Sequence, residues 1–156
     1  MPTSQSSLSI LLARINDTQV GFSARAVHEI VRAVAITPVS GAPRIIEGAI
    51  NLHGRVIPVV DVRQRLSLAP APNSPEQYLV ALELSDRLVA VRVDDVEDVT
   101  EIDHSALESP TTLSPVLQGL HGIAPTAQGA IVIYDIDAFL TQAERDALDG
   151  TELAVR

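Results

Sequence analysis

The chain has 156 residues, of which 46% are hydrophobic and 20% charged, enough for the core of one globular domain or of two small ones. It contains no cysteine and no tryptophan, and its 11 basic residues are all arginine. These absences exclude a disulfide framework, a thiolate metal site and lysine-dependent catalysis, and the net charge of −9 argues against nucleic acid as a partner, because phosphate would be repelled.

The charge is divided unequally along the chain. Residues 1–77 carry seven arginines and five acids, whereas residues 78–156 carry four arginines and 15 acids, giving net charges of +2 and −11. The acidic half is either a solvated surface that keeps the protein dispersed, or one end of a molecule that assembles head to tail or with two partners.

The N-terminal segment predicts neither export nor membrane insertion. Residues 1–7 are polar and uncharged, and the apolar run that follows them stops at Arg14. No stretch approaches the ~18–20 apolar residues of a membrane-spanning helix. We therefore expect a cytoplasmic protein that does not insert into a membrane.

Short runs rich in valine, isoleucine and leucine follow, and they predict strands joined by tight turns. The turns are expected at Asn16-Asp17, His53-Gly54 and Ser85-Asp86. Helical structure is expected as a short turn at residues 23–28 and as a C-terminal helix at residues 142–148, where Thr141 and Glu144 form a capping box.

The strands belong to an internal repeat. Under shifts of 69 and 74 residues, apolar positions match apolar positions and turn pairs match turn pairs. The matched segments are 10–15 with 79–84, 27–30 with 96–99, and 57–62 with 131–136. This agreement favours two copies of one β-unit over the generic alternation of unrelated strands. A unit of this size closes its sheet edges by curling into a small barrel, and two barrels stabilise each other by sharing an interface.

We therefore predict an all-β fold of two barrels with intertwined ends. The first barrel is expected over roughly residues 16–77 and the second over roughly residues 78–140. Residues 70–75 contain three prolines and are either a linker between the two copies or an ordered loop across the surface.

No pattern of catalytic or metal-ligating residues emerges from the sequence. The four histidines, His28, His53, His104 and His121, lack the spacing of a zinc site. The acidic residues at 94–103 lack the alternating oxygen ligands and the central glycine of a calcium loop, and there is no glycine-rich phosphate loop. We predict no catalytic residue, no metal and no cofactor, which is typical of a protein-binding module rather than an enzyme.

Residues 47–66, EGAINLHGRVIPVVDVRQRL, resemble the signature of the CheW-like family of chemotaxis coupling proteins. That signature runs G-x-x-N-L-R-G, continues with an isoleucine-proline pair between apolar residues, and ends in D-L-R. The resemblance extends to residues 27–30 and 89–99, to residues 131–136 and to a C-terminal helix containing Glu144. It covers a single domain from about residue 8 to residue 148.

The resemblance implies two five-stranded SH3-like barrels around a shared core. It also implies a non-catalytic adaptor that links the regulatory domain of a CheA-type histidine kinase to the cytoplasmic tip of chemoreceptors, in the cytoplasm or at membrane-associated receptor arrays. Two alternatives stay open: an adaptor of a non-flagellar pathway such as surface motility, and a small-ligand sensor that uses the groove between the barrels. An open apolar trough would favour a helix, and a closed cavity would favour a ligand.

The resemblance also assigns residues. Val27, Glu29, Ile30 and His53 are expected at the receptor groove. The structural positions of the hairpin and the following turn are expected at Gly48, Gly54, Asp61 and Arg63, with Gly48 alternatively a merely tolerated glycine and Asp61 a cap on the turn at residues 62–66.

One residue departs from the family pattern. His53 stands where the family usually has an arginine that pairs with the acid at the position of Glu29, and Arg55 follows two residues later. Arginine is always charged and forms two bonds to a carboxylate, whereas histidine is charged only part of the time near neutral pH. Three arrangements are open: Glu29 pairs with His53, pairs with Arg55, or stays free.

Overall fold

The computed structural model describes residues 7–33, 35–65, 68–72, 74–107, 120–126, 129–134 and 140–149. Within these ranges the strands are β1 (Ser7–Ile15), β2 (Thr18–Ser23), β3 (Val27–Arg32), β4 (Ile46–Leu52), β5 (Arg55–Val60), β6 (Tyr78–Glu83), β7 (Leu88–Val93), β8 (Asp95–Asp103), β9 (Leu120–Thr126) and β10 (Gly129–Tyr134). The helices are α1 (Val62–Arg65) and α2 (Gln142–Asp149), and 3-10 turns form at Ala24–Ala26 and His104–Ala106. None of the helices in these ranges has the length and apolar character needed to span a membrane.

The strands form two five-stranded sheets, with the orders β8-β1-β2-β10-β9 and β3-β6-β7-β5-β4. This confirms the predicted all-β class. In both sheets the neighbouring pairs are antiparallel except one, β10 with β2 in the first sheet and β5 with β7 in the second. After β3, Thr37 bridges Ala49 of β4, with N–H to O distances of 2.8 and 2.9 Å in the two directions. That bridge joins the two ends of the second sheet and closes it into a barrel.

The repeat is visible in the topology. Strands β1 to β5 correspond in sequence order to β6 to β10, and exchanging each strand for its counterpart converts one sheet order into the other. Each sheet therefore combines the first two strands of one copy with the last three strands of the other.

This exchange corrects the predicted barrel bounds. One sheet runs from Val27 to Val93, and the other joins residues 7–23 to residues 95–134, so neither follows a division into 16–77 and 78–140. The reason is that both copies carry the same alternation of apolar and polar residues. The pattern specifies that a segment forms a paired strand, but it does not specify the partner, because the hairpin of either copy fits the sheet equally well.

The core has three parts. One cluster fills each barrel, around Ile57 and Leu79 in one and around Ile10 and Ile131 in the other. The largest cluster lies between the barrels and includes Phe22, whose ring stacks on Tyr134 with a centroid separation of 6.0 Å. Because the exchanged hairpins supply both sides of this shared cluster, the two barrels are expected to unfold together.

The C-terminal helix α2 packs on the shared cluster through Leu148. Its start is the capping box: Glu144 N donates to Thr141 Oγ1 at 3.1 Å, and Thr141 N donates to Glu144 Oε1 at 2.9 Å. Glu144 also accepts a bond of 2.7 Å from Arg65, and Arg87 donates to Asp149 at 2.5 Å. The helix is thus held by apolar burial at its end and by ion pairs along its side.

The proline-rich segment is an ordered loop in its described part. Arg92 of β7 donates to the carbonyl oxygens of Ala71 at 3.0 Å and of Pro72 at 3.2 Å. Gln77 at the end of the loop donates to Asp94 at 3.0 Å. Of the two interpretations left open by the sequence, the structure favours a loop fixed against the barrel.

Candidate functional site

Edge strand β3 carries three of the four residues expected at the receptor groove. A bulge between Val27 and Glu29 changes the register with β6, so that Val27 lies opposite Leu82 and Ile30 lies opposite Val80. Leu82 and Val80 belong to the shared cluster, and cross-strand partners point to the same side of a sheet. Val27 and Ile30 therefore lie on one face although they are three positions apart.

Arg32 continues this surface. It lies opposite Tyr78, and its guanidinium carbon is 4.9 Å from the centroid of the Tyr78 ring. Val27 is half-buried, whereas Ile30 is 39% exposed and Arg32 is exposed. We call the surface formed by Val27, Ile30 and Arg32 the β3 face. It offers apolar anchors next to a positive charge.

Glu29 pairs with His53. The distance from Glu29 Oε2 to His53 Nε2 is 2.8 Å, and the imidazole side chain is 71% exposed. Of the three arrangements left open by the sequence, the structure thus has the His53 pair. The pair connects β3 to the β4–β5 hairpin.

The conformation of this hairpin explains how His53 reaches Glu29. Its two turn residues both have positive φ, +52° at His53 and +88° at Gly54, which is the pattern of a type I′ turn. Asn51 Oδ1 accepts a bond of 2.7 Å from the Gly54 N–H. Gly54 supplies the left-handed conformation without a side-chain penalty, whereas His53 adopts it as a non-glycine residue.

Gly48 lies where the barrel closes. A methyl group on its Cα would lie 2.8 Å from the carbonyl carbon of Thr37 and closer still to the carbonyl oxygen. It would also lie 2.8 Å from the side chain of Ile36. Of the two interpretations of Gly48, close approach of the backbone is therefore the one that accounts for the geometry, because no L side chain fits beside the Thr37–Ala49 bridge.

Asp61 and Arg63 lie at the other end of β5. Asp61 Oδ1 accepts from the Gln64 N–H at 3.2 Å, which makes it a cap on the short helix α1. Arg63 is 1% exposed and donates to Asp94 at 2.5 Å and to Asn16 at 3.4 Å. These contacts join α1 to the β1–β2 turn and to the β7–β8 connection, so Arg63 links the two barrels.

Asp94 is the acceptor at this junction. Partial burial acts to raise the pKa of its carboxyl group, but the hydrogen bonds from the Asn16 N–H at 2.7 Å and from Gln77, together with the charge of Arg63, outweigh it and lower the pKa. The ionised carboxylate is therefore the form that the folded protein favours.

Val27 and Ile30 share one face of β3, whereas Glu29 lies opposite Ala81 of the barrel cluster, on the other face, and pairs there with His53. Asp61 and Arg63 lie apart, at the barrel junction.

Two features were missed by sequence reasoning. The first is a buried ion pair of Arg92, and its signal in the sequence is a single arginine in the otherwise apolar run of β7. The second is an exposed apolar position at Val99, and its signal is that Val99 is the repeat partner of Ile30.

Among the described residues there is no group of three or more potential metal ligands. The side chains of His104 and His121 lie outside the part of the chain that the structure describes.

A cavity of about 710 Å³ lies on the other sheet and is lined by Arg14, Asp17, Thr18, Gln19, Glu97, Ala130 and Val132. Glu97 there accepts hydrogen bonds from Gln19 and Arg14, which lower its pKa, so the cavity is polar and the charges of Arg14 and Glu97 are already paired with each other.

Comparisons with known proteins agree with this architecture. Residues 9–144 match the model of the family described as "CheW-like domain". The probable chemotaxis protein CheW of Rhizobium etli is 24% identical over 145 residues, covering 92% of this chain and 94% of that protein. The chemotaxis protein CheW of Bacillus subtilis is 31% identical over 100 residues, 64% of each chain.

A solved structure has the same fold. The crystal structure of a scaffolding protein, TtCheW from Thermoanaerobacter tengcongensis, matches with a TM-score of 0.76 and 28% sequence identity. The match covers 88% of this chain and 94% of that one.

Proposed function

The chain belongs to the CheW-like domain family, and from this premise we propose that it is a non-catalytic adaptor coupling chemoreceptors to a CheA-type histidine kinase. Its work consists of protein–protein contacts in the cytoplasm, beside the cytoplasmic tips of the receptors. No cofactor, metal or nucleic acid takes part. The proposal covers flagellar and other chemosensory outputs, because His53 retains the pair with Glu29 that the family usually makes through arginine.

The observation that carries the proposal is the β3 face, on a strand that the Glu29–His53 pair joins to the β4–β5 hairpin. A helix that docks in a groove presents apolar anchors on one side and meets polar groups at the rim. Val27 and Ile30 offer the apolar contact, and Arg32, on the same face of β3, offers a charged group at its rim. The printed descriptions of the relatives as chemotaxis proteins, and of the similar structure as a scaffolding protein, support the same function.

A small-ligand sensor is less well supported. Ligand sites are mostly apolar with a few unpaired polar groups. The cavity described above has the opposite character, because its lining is mainly charged or polar and Arg14 already pairs with Glu97.

The test is a pair of titrations with the purified chain, one against the regulatory domain of a CheA-type kinase and one against a receptor cytoplasmic fragment. We expect saturable binding in both. Ile30→Asp should abolish binding of the receptor fragment and leave kinase binding intact, because a buried aspartate at an apolar anchor is costly. Val99→Asp is the matched control, since it makes the same kind of change at the equivalent position of the other sheet.

Two results would contradict the proposal. One is the absence of binding to both partners by a folded wild-type chain. The other is an equal loss of receptor binding in Ile30→Asp and Val99→Asp, which would show that the β3 face is not the specific contact.

A further inference from the structure

Strands β3 and β4 are the two ends of the order of their sheet, so the barrel has a seam between them. Past the end of β3, the seam is crossed by the backbone hydrogen bonds of Thr37 and Ala49. Nearer the start of β3, it is crossed by the pair of Glu29 and His53. The first contact does not depend on pH, because it joins backbone groups. The second joins two titratable side chains.

The strength of the second contact depends on the charge of the imidazole. Histidine is the side chain whose ordinary change of charge falls between about pH 5 and 8, and a glutamate carboxyl is ordinarily ionised throughout that range. With a protonated imidazole, the 2.8 Å contact between His53 Nε2 and Glu29 Oε2 is an ion pair. With a neutral imidazole it is at most a hydrogen bond, which is weaker.

Other charged or titratable side chains lie on the elements around the pair. Those of the described residues are Arg25 before β3, His28 and Arg32 on β3, Arg44 before β4, Glu47 on β4, Arg55 on β5, and Glu83 and Asp86 at and after the end of β6. Arginine side chains already bind the carboxylates of Glu47 and Asp86. In the described part of the chain Glu29 and His53 bond to each other and to none of these side chains.

We propose that the Glu29–His53 pair is a proton-dependent latch on the seam of this barrel. The latch holds the β4–β5 turn to β3 when the imidazole is protonated, and it loosens as the pH rises. Because β3 is an end strand whose ladder partner is β6, the latch supports its other side. The imidazole side chain is 71% exposed, so the protonation does not require unfolding, and the expected effect is that of a surface pair, about two- to fivefold.

The latch bears on the proposed function because β3 carries Val27 and Ile30 on its other face. A strand that is held on both sides loses less freedom when a partner docks on it. Receptor binding should therefore be tighter at low pH than at high pH. This consequence rests on the proposed function, whereas the latch is a property of the chain alone.

The first experiment uses the purified full chain with no partner. Urea unfolding of the wild type, Glu29→Gln, His53→Asn and the double variant gives the coupling between the two side chains at pH 5.5 and at pH 8. A contribution that requires the protonated imidazole is present at low pH and lost as the pH rises. The coupling should therefore change the unfolding equilibrium constant by about two- to fivefold at pH 5.5 and hardly at all at pH 8. The cycle of Glu29→Gln with His53→Arg should give the same coupling at both pH values, because arginine is always charged.

The second experiment titrates a receptor cytoplasmic fragment at the same two pH values. The wild type should bind about two- to fivefold more tightly at pH 5.5 than at pH 8. His53→Arg should bind the fragment with no such difference beyond what the fragment's own titration contributes to both proteins. His28→Asn is the matched control, because it removes an exposed histidine one residue from Glu29 that makes no bond to it, and it should keep the wild-type difference.

The outcomes separate the latch from the proposed function. A coupling that is the same at both pH values, or absent at pH 5.5, overturns the latch, provided that circular dichroism shows the variants to be folded. A pH dependence of receptor binding that disappears in His28→Asn and persists in His53→Arg overturns it as well. A pH-dependent coupling in a chain that binds no receptor fragment supports the latch and contradicts the proposed function.

Discussion

Arg92 of β7 reaches past β5 and binds Glu47 of β4 through two of its nitrogens, with Nη2–Oε1 at 2.8 Å and Nε–Oε1 at 3.1 Å. The arginine is 5% exposed. Its remaining donors reach Gln77 and the carbonyl oxygens of the proline-rich loop. Burial raises the pKa of the Glu47 carboxyl, and the hydrogen bond and charge of Arg92 oppose that rise.

Arg92→Met should destabilise the fold strongly. It leaves Glu47 half-buried without its partner and frees the loop carbonyls of Ala71 and Pro72, and breaking a buried pair costs about 3–5 kcal/mol. The free energy of unfolding from a urea titration measures the loss. The double variant Arg92→Met/Glu47→Leu should recover most of it, because both charges are then gone. A loss below about 1 kcal/mol in the single variant would show that the pair is not a structural contact.

A second prediction concerns acid stability. The pKa of Asp94 is lowered in the folded state, so its contribution is present above the unfolded pKa and is lost as the pH falls through the folded value. The free energy of unfolding of the wild type should therefore exceed that of Asp94→Asn at neutral pH, and the difference should shrink below about pH 4. Urea titrations at several pH values measure this difference. A difference that stays constant down to the lowest pH would contradict the ionised role of Asp94.

Gly48 gives a test of barrel closure. Gly48→Ala should destabilise the fold by about 1–3 kcal/mol or more, because the added methyl overlaps the Thr37 carbonyl group. Gly54→Asn is the matched control in the same hairpin: a Cβ there meets nothing within 4 Å, and asparagine tolerates positive φ. We expect it to be nearly neutral. Equal thermal stability of the two variants would show that the Thr37 carbonyl group moves away from the added methyl without a loss of folding stability.

The local structure was largely predictable from the sequence. Alternation placed the strands, His53-Gly54 marked a turn that needs positive φ, and Thr141 with Glu144 marked the start of the C-terminal helix. Each of these signals is read within a few neighbouring residues. The repeat adds a longer-range signal, since the shift of 69 residues aligns Ile30 with Val99 in the sequence itself.

The pairing of strands across the chain was not predictable in the same way. The two copies offer interchangeable hairpins, so the choice of partner depends on the packing of the shared cluster around Phe22 and Tyr134. The Glu29–His53 pair likewise depends on how closely barrel closure brings the β4–β5 turn to β3. Contacts of this kind are set by tertiary packing, and spacing along the chain carries no direct measure of them.

The last prediction concerns that pair in the proposed receptor contact. Glu29→Ala and His53→Asn should each weaken binding of a receptor fragment, and the double variant should be little worse than either, with a coupling energy of about 1 kcal/mol. Asparagine is the better substitute at position 53, because the residue there has a φ of +52° and alanine would add backbone strain.

His53→Arg is the informative complement. An arginine can form two bonds to the Glu29 carboxylate, so receptor binding should be retained or tightened if the pair itself orders the groove. Calorimetric titration of the four variants with one receptor fragment measures all of these affinities. Additive losses in Glu29→Ala and His53→Asn, together with weakened binding in His53→Arg, would mean that His53 contacts the receptor directly. Glu29 would then act separately, and the pair would be only a neighbouring contact of two independent binding residues.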